Sequence, residues 1–497
     1  MDAPLTDLWV MKDQKQIEQS IPESDNNRTG IFDRTLRNLK SAWRGIAGAS
    51  YDATAAGSRP DLPDGDIETL KDQMRACLET RGGEVSARGR AAALGHVYLA
   101  LDKSGRERFL SVLANDFDVD GAPVDAAIQE YSMAEGRDAR RLAQAVLKKA
   151  LDATRIKLLT QFNALPDGVK FLVDMRAELL AMNSSDPALQ GLEQELQSLL
   201  STWFDVDFLE LRRITWDNAS AALLEKLIAY EAVHAIDGWD DLKNRLDSDR
   251  RCFAYFHPRM PDEPLIFVEV ALVNGLANNI QALLDETMPV LDPQSADTAI
   301  FYSISNAQKG LAGISFGNFL IKRVAENLSA EFKGLKKFAT LSPVPGFMRW
   351  LNSTMASGDP DLLTPGERKA LSAAVGRSAG AKGTFKTLLE NPQWPSDSTM
   401  SEALRAPLMR LCARYLIKEK GLNKRALDPV AHFHLTNGAN MESLNWRADQ
   451  SARGIRSSAG IMINYLYDLG RVEDNHEAYT SSGKIKASAA VRGFLKG

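Results

Sequence analysis

The 497-residue chain contains only three cysteines, Cys77, Cys252 and Cys412, and no two of them have the spacing of a metal site. An odd and sparse set is not a disulfide framework, so a reducing compartment is expected. No apolar run approaches the ~18 residues of a membrane span. A basic surplus is missing too: 60 Lys and Arg face 65 Asp and Glu, a net charge of −5. A general nucleic-acid binder carries the opposite balance. The opening "MDAPLTDLWVMKDQKQIEQ" has no apolar signal core, and the closing "VRGFLKG" is not a peroxisomal tripeptide. A cytoplasmic location is expected, with no membrane and no nucleic-acid partner.

The length points to two or three domains of about 150 residues each. Residues 1–65 are mostly polar and broken, with loop-like stretches such as "SIPESDNNRTG". Residues 66–204 carry helical periodicity throughout. Ile67, Leu70, Met74, Cys77 and Leu78 form one apolar stripe, and Leu142, Val146, Leu147, Leu151 and Ile156 form another. This reads as an all-helical domain for packing or oligomerisation. Residues 205–497 change character. "RRCFAYFHPRMPDEPLIFVEVAL" reads as strand, turn, strand. Further strands are expected at 297–306, 336–342, 430–435 and 441–446, with helices between them. The fold class is therefore α+β, a helical N-terminal domain followed by a catalytic-type α/β domain.

Three constellations stand out in the second half. After the strand at 297–306 comes a loop with Gly310, Gly313 and Gly317, then an amphipathic helix from about Asn318. Such a loop delivers unpaired N–H groups and the positive end of a helix dipole to a phosphate. It is neither a Walker A loop nor a dinucleotide fingerprint, and a plain turn is the alternative. Second, Ser342 in "TLSPVPGF" precedes a proline, which pushes it to extended backbone at a strand end. Third, His432 and His434 share a face if residues 430–435 form a strand. Together they are half of a zinc site, or else one is catalytic and the other structural.

"HPRMPDEPLIFVEVAL", "FYSISNAQKGLAGISFGNFLIKRV", "LSPVPGF", "FHLTNGA" and "RGIRSSAGIMINYLY" together resemble the malonyl-CoA decarboxylase family. The resemblance implies an acetyltransferase-like (GNAT) catalytic domain at 205–497 behind a helical assembly domain at 66–204. It implies malonyl-CoA as substrate, acetyl-CoA and CO2 as products, and a homotetramer. Ser342 and His434 fall on the family's catalytic serine and histidine, and Tyr467 on a supporting tyrosine. Coenzyme binding falls on Ala312, Gly313, Ile314, Ser315, Phe316, Gly317 and Asn318, with Ser303 on the preceding strand. One departure is Ser315, where the family's animal members carry an acidic side chain. No metal and no cofactor are expected, because the thioester carbonyl is itself the electron sink for decarboxylation. An acyl-CoA-dependent N-acyltransferase and a non-catalytic acyl-CoA-binding module are the alternatives.

Overall fold

The structure is a computed structural model that describes residues 39–40, 43, 53–79, 83–204, 208–314, 320–375, 381–421 and 424–496. Helices follow one another from Ala53 to Trp203, and the first strand begins at Glu210. Three helices start where the sequence supplies a cap. Asp102, Asp120 and Asp186 accept backbone N–H groups at the heads of Lys103–Asp116, Gly121–Met133 and Pro187–Trp203. The stretch expected to be irregular, 1–65, lies largely outside the described residues. Within it, Trp43 is an anchor of the core: it packs on Phe162 and Phe171, and its Nε1 donates to Pro166 O at 2.7 Å.

The first expected stripe is buried through Leu70, Met74 and Cys77. The second is not. Leu142 is 71% exposed, and Val146 and Leu151 also face outwards. The reason is local. Helices Gly121–Met133 and Arg137–Ala150 form a hairpin that packs through Ala127 and Ala143, the only buried residue of each. An apolar face remains on the outside.

Among the described residues, eight strands make one sheet: β1 (Glu210–Ile214), β2 (Arg250–His257), β3 (Met260–Val273), β4 (Thr298–Asn306), β5 (Lys337–Thr340), β6 (Ser342–Pro343), β7 (Asn440–Asn445) and β8 (Met462–Leu466). Their order is β1-β2-β3-β4-β5-β8-β6, with β7 also on β8. Neighbours run antiparallel except β4 and β5, which are parallel and joined by the crossover helix Leu320–Glu331. That helix buries Leu320, Val324 and Leu328 on the spacing read from the sequence, and Phe332 follows them into the core. The α+β layout expected from the sequence is the one found.

Residues 430–435 are a correction. They form not a strand but the middle of a helix, Pro429–Thr436. Asp428 caps it, accepting from Ala431 N, and Pro429 takes the first helical position, where its missing N–H costs nothing. The apolar run "VAHFHL" suggested a strand; the Asp-Pro start decides otherwise.

The sheet opens in the middle. β4 and β5 pair from Thr298↔Lys337 to Phe301↔Thr340, and Leu341 N still donates to Phe301 O. Beyond that point β4 continues to Asn306 alongside β3, while Ser342 turns to pair with Ile463 of β8. The two strands part as a fork, with the loop from β4 leaving at the same end. A bulge in β4 opposite Glu269–Val270 sits at the start of the divergence.

Candidate active site

Ser342 and His434 meet at this fork. Ser342 Oγ lies 3.0 Å from His434 Nε2, although 92 residues separate them in the chain. β6 fixes the serine, and the last turn of Pro429–Thr436 carries the histidine. Ser342 also donates to Thr340 Oγ1 at 2.8 Å. On the other side of the ring, Nδ1 is 2.8 Å from Tyr467 Oη. Tyr467 is held where β8 ends, its N–H donating to Phe338 O. The Tyr465 ring stacks on the imidazole at 4.4 Å between centroids. The three residues the sequence singled out as catalytic are thus in one hydrogen-bonded row.

Burial pushes His434 down to about 3. Its place in the last helical turn favours imidazolium by at most ~2 kcal/mol. A drop of this size is worth more, at ~1.4 kcal/mol per pKa unit, so burial wins. The ring is neutral at working pH. Burial also raises Tyr467, which stays protonated.

His432 is not part of this row. A helix turns positions i and i+2 apart, and His432 Nδ1 meets Tyr479 Oη at 2.8 Å. The shared face that a zinc pair required is absent.

Ser303 lies in a separate cluster. Its hydroxyl is buried against Glu231, 2.7 and 2.8 Å from the two carboxylate oxygens, and no hydrogen bond among the described residues joins it to Ser342 or His434. It sits on β4 at the bulge, paired with Glu269 of β3.

Of the expected phosphate loop, Ala312, Gly313 and Ile314 are described; Ser315, Phe316, Gly317 and Asn318 lie outside the described residues. The start of the loop is held by the helical half. Arg176 is fully buried, and its Nη1 donates to Gly310 O at 2.6 Å and Ala312 O at 2.8 Å. Glu193 balances its charge at 2.8 Å. One guanidinium thus holds the carbonyls of both Gly310 and Ala312. Gly310 is required by close approach, since a Cβ there would lie 1.7 Å from Val173 O.

Sequence reasoning missed Thr340, Asp428 and Arg176. The alternation of a strand puts Thr340 on the same side as Ser342, which is the signal for it. Asp428 was legible as an N-cap before proline. Arg176 had no local signal, because its partners are 134 and 136 residues away.

The malonyl-CoA decarboxylase C-terminal domain model matches residues 207–497, and the N-terminal domain model of the same family matches residues 117–204. The mitochondrial malonyl-CoA decarboxylase of Anser anser anser is 37% identical, covering 93% of this chain and 94% of its own length. That of Mus musculus is 38% identical over 82% of this chain and 85% of its own. The chain belongs to the malonyl-CoA decarboxylase family. Among solved structures, the malonyl-CoA decarboxylase of Rhodopseudomonas palustris superposes with a TM-score of 0.78 at 42% identity, over 86% of this chain and 99% of that one. The Agrobacterium vitis enzyme gives a TM-score of 0.76 at 41% identity, with the same coverage. The Ser342–His434 row therefore sits in a chain that aligns with malonyl-CoA decarboxylases across both halves.

Proposed function

We propose that this chain decarboxylates malonyl-CoA to acetyl-CoA and CO2, with Ser342, His434 and Tyr467 at the reacting end of the bound thioester. The observation that carries the reading is the 3.0 Å contact between Ser342 and His434 at the fork of β4 and β5, in a member of this family. Decarboxylation breaks the bond between the carboxylate carbon and the α-carbon. The electron pair passes into the thioester carbonyl and gives an enolate. One proton delivered to the α-carbon then completes the acetyl group, so one proton is consumed per turnover. The thioester is the electron sink, and the reaction asks for no metal or organic cofactor.

The chain's own residues have three tasks. The loop from Ala312 through Gly313, Ile314, Ser315, Phe316 and Gly317 to Asn318 holds the coenzyme's phosphates with backbone N–H groups at the head of the crossover helix. Ser303 stands on β4 beside the fork, its hydroxyl held by Glu231. His434 aims a donor at the enolate oxygen, worth ~3–4 kcal/mol in comparable sites, and supplies the proton, with Ser342 as its hydrogen-bonded relay. An enolate is basic enough to take that proton from a neutral donor, which suits an imidazole that burial keeps neutral.

The outward apolar face at Leu142, Val146 and Leu151 supports a homo-oligomer, a tetramer in our reading, assembled through the helical half. The three cysteines are free and buried, which fits a cytoplasmic setting. No helix among the described residues is long and apolar enough to cross a membrane.

The test is malonyl-CoA supplied alone, with CO2 and acetyl-CoA measured. Ser342→Ala and His434→Asn are expected to lower kcat by about 10²-fold or more with little change in CoA affinity. Wild-type turnover in both variants would remove the proposal, and so would a requirement for an amine acceptor.

A further inference from the structure

Thr340 carries an inference beyond the Ser342–His434 pair. It is fully buried on β5, and its hydroxyl oxygen accepts twice: from Tyr465 N at 3.2 Å and from Ser342 Oγ at 2.8 Å. Its position is fixed from three sides. Its backbone pairs with Phe301 of β4, its carbonyl accepts from Asn464 Nδ2 at 2.7 Å, and Asn464 is itself held by Ala277 O, Ser443 and Asn445. Such an acceptor does not turn away easily.

The proton count follows from this. A serine hydroxyl has one proton, and a neutral imidazole has one N–H. Ser342 directs its proton to Thr340, so towards His434 it can only accept. The ring proton must then sit on Nε2, pointing at Ser342. Nδ1 is left with a lone pair, and Tyr467 donates its O–H there across 2.8 Å. The row reads, in donor order, Tyr467 to His434 to Ser342 to Thr340. A serine–histidine pair built for nucleophilic attack runs the other way, with the ring accepting the serine proton.

We propose that Thr340 is a positioning residue that sets the direction of this row and thereby fixes His434 in the Nε2–H form. In this form the imidazole faces the fork as a donor, and Ser342 is not primed as a nucleophile. The chemical benefit rests on the decarboxylase reading: a reaction that must end by protonating carbon gains from an imidazole that keeps its proton on Nε2, the nitrogen beside Ser342.

The experiment has two readouts. The first is the ring ¹⁵N shifts of His434 in the full chain, with His434→Asn used to assign the signal. The second is kcat and KM for malonyl-CoA. Wild-type protein is expected to show a protonated Nε2 and an unprotonated Nδ1. Thr340→Val keeps the branched shape and removes the acceptor. Ser342 then donates to His434, the ring proton moves to Nδ1, and kcat falls about tenfold while KM stays within about twofold, one misdirected hydrogen bond being of that size. Thr340→Ser restores both. An Nδ1–H ring in the wild type, or an unchanged tautomer in Thr340→Val, overturns the proposal. The tautomer is read without substrate, so it tests Thr340 even if malonyl-CoA proves not to be the substrate.

Discussion

Replacing Arg176 by methionine tests whether the helical half controls coenzyme binding. Methionine fills similar space without the charge. Glu193 loses the guanidinium that now donates to it from Nε at 3.0 Å and from Nη2 at 2.8 Å. The carbonyls of Gly310 and Ala312 lose a shared donor. Stranding one member of a buried pair costs ~3–5 kcal/mol. The unpaired carbonyls add ~1–3 kcal/mol each where water cannot reach them; these contributions overlap, so ~3–5 kcal/mol is the expected total. The loop is then free to turn its carbonyls towards the phosphates. An affinity loss of about tenfold for CoA is expected, equivalent to one contact of ~1.4 kcal/mol, with kcat nearly unchanged because Ser342 and His434 are untouched. The assays are urea unfolding and equilibrium binding of CoA. Adding Glu193→Gln to Arg176→Met separates the two effects: stability recovers in part because the stranded carboxylate is gone, whereas CoA affinity does not. If stability falls in Arg176→Met while CoA binds as before, the guanidinium is only a packing element and the account of the loop is wrong.

Other perturbations give independent checks. Burial pushes His432 down to about 4, so the folded state holds the neutral ring. Its contribution is present above the unfolded pKa near 6.5 and is lost as pH falls through 4, about 3 kcal/mol in total. His432→Gln should therefore flatten the decline of urea stability between pH 7 and 4; identical slopes in the two proteins would contradict this. A Cβ at Gly346 would lie 2.1 Å from Tyr415 Oη. Gly346→Ala is expected to cost ~1–3 kcal/mol by overpacking and to lower kcat by moving the turn behind Ser342. Tyr415→Phe in the same chain should restore much of both, and no recovery would place the damage elsewhere. Glu at both Leu142 and Val146 should reduce the particle mass in light scattering without altering the circular dichroism; an unchanged mass excludes the hairpin face from the interface.

Much of the layout was legible because it depends on short-range pattern. The β2–β3 hairpin, β4, β5 and β7 came from apolar runs bounded by proline, glycine and asparagine. The crossover helix came from its four-residue spacing. β1 and β8 were not singled out: each has only five residues, and "ELRRI" has no apolar alternation to reveal it. The helix at Pro429–Thr436 was misread because eight mostly apolar residues satisfy either periodicity, and only the cap distinguishes them. The site was legible in part for a similar reason. Ser342, His434 and Tyr467 were reached through resemblance and strand-end position. Thr340 and Arg176 act across the fold, and their partners are fixed only when the sheet closes.

Asp428 explains why a misread element could still deliver the right histidine. Its carboxylate is completely buried and accepts from Ala431 N at 3.0 Å, Gly346 N at 3.3 Å and Tyr415 Oη at 3.2 Å, with the Val430 N–H beside them. The first belongs to the helix that carries His434. The second belongs to the Pro-Gly turn that follows Ser342. One side chain thus ties both halves of the pair from behind, and the distance between imidazole and hydroxyl depends on it. The prolines and glycine after Ser342 have the same purpose. Pro343 keeps the serine extended on β6, and Gly346 lets the chain pass beneath Tyr415 close enough for its N–H to reach Asp428. Burial raises the Asp428 carboxyl to about 6, against hydrogen bonds that pull the other way. The rigidity that catalysis needs is therefore supplied behind the reacting atoms, in a segment whose cap, proline and glycine are all local features of the sequence.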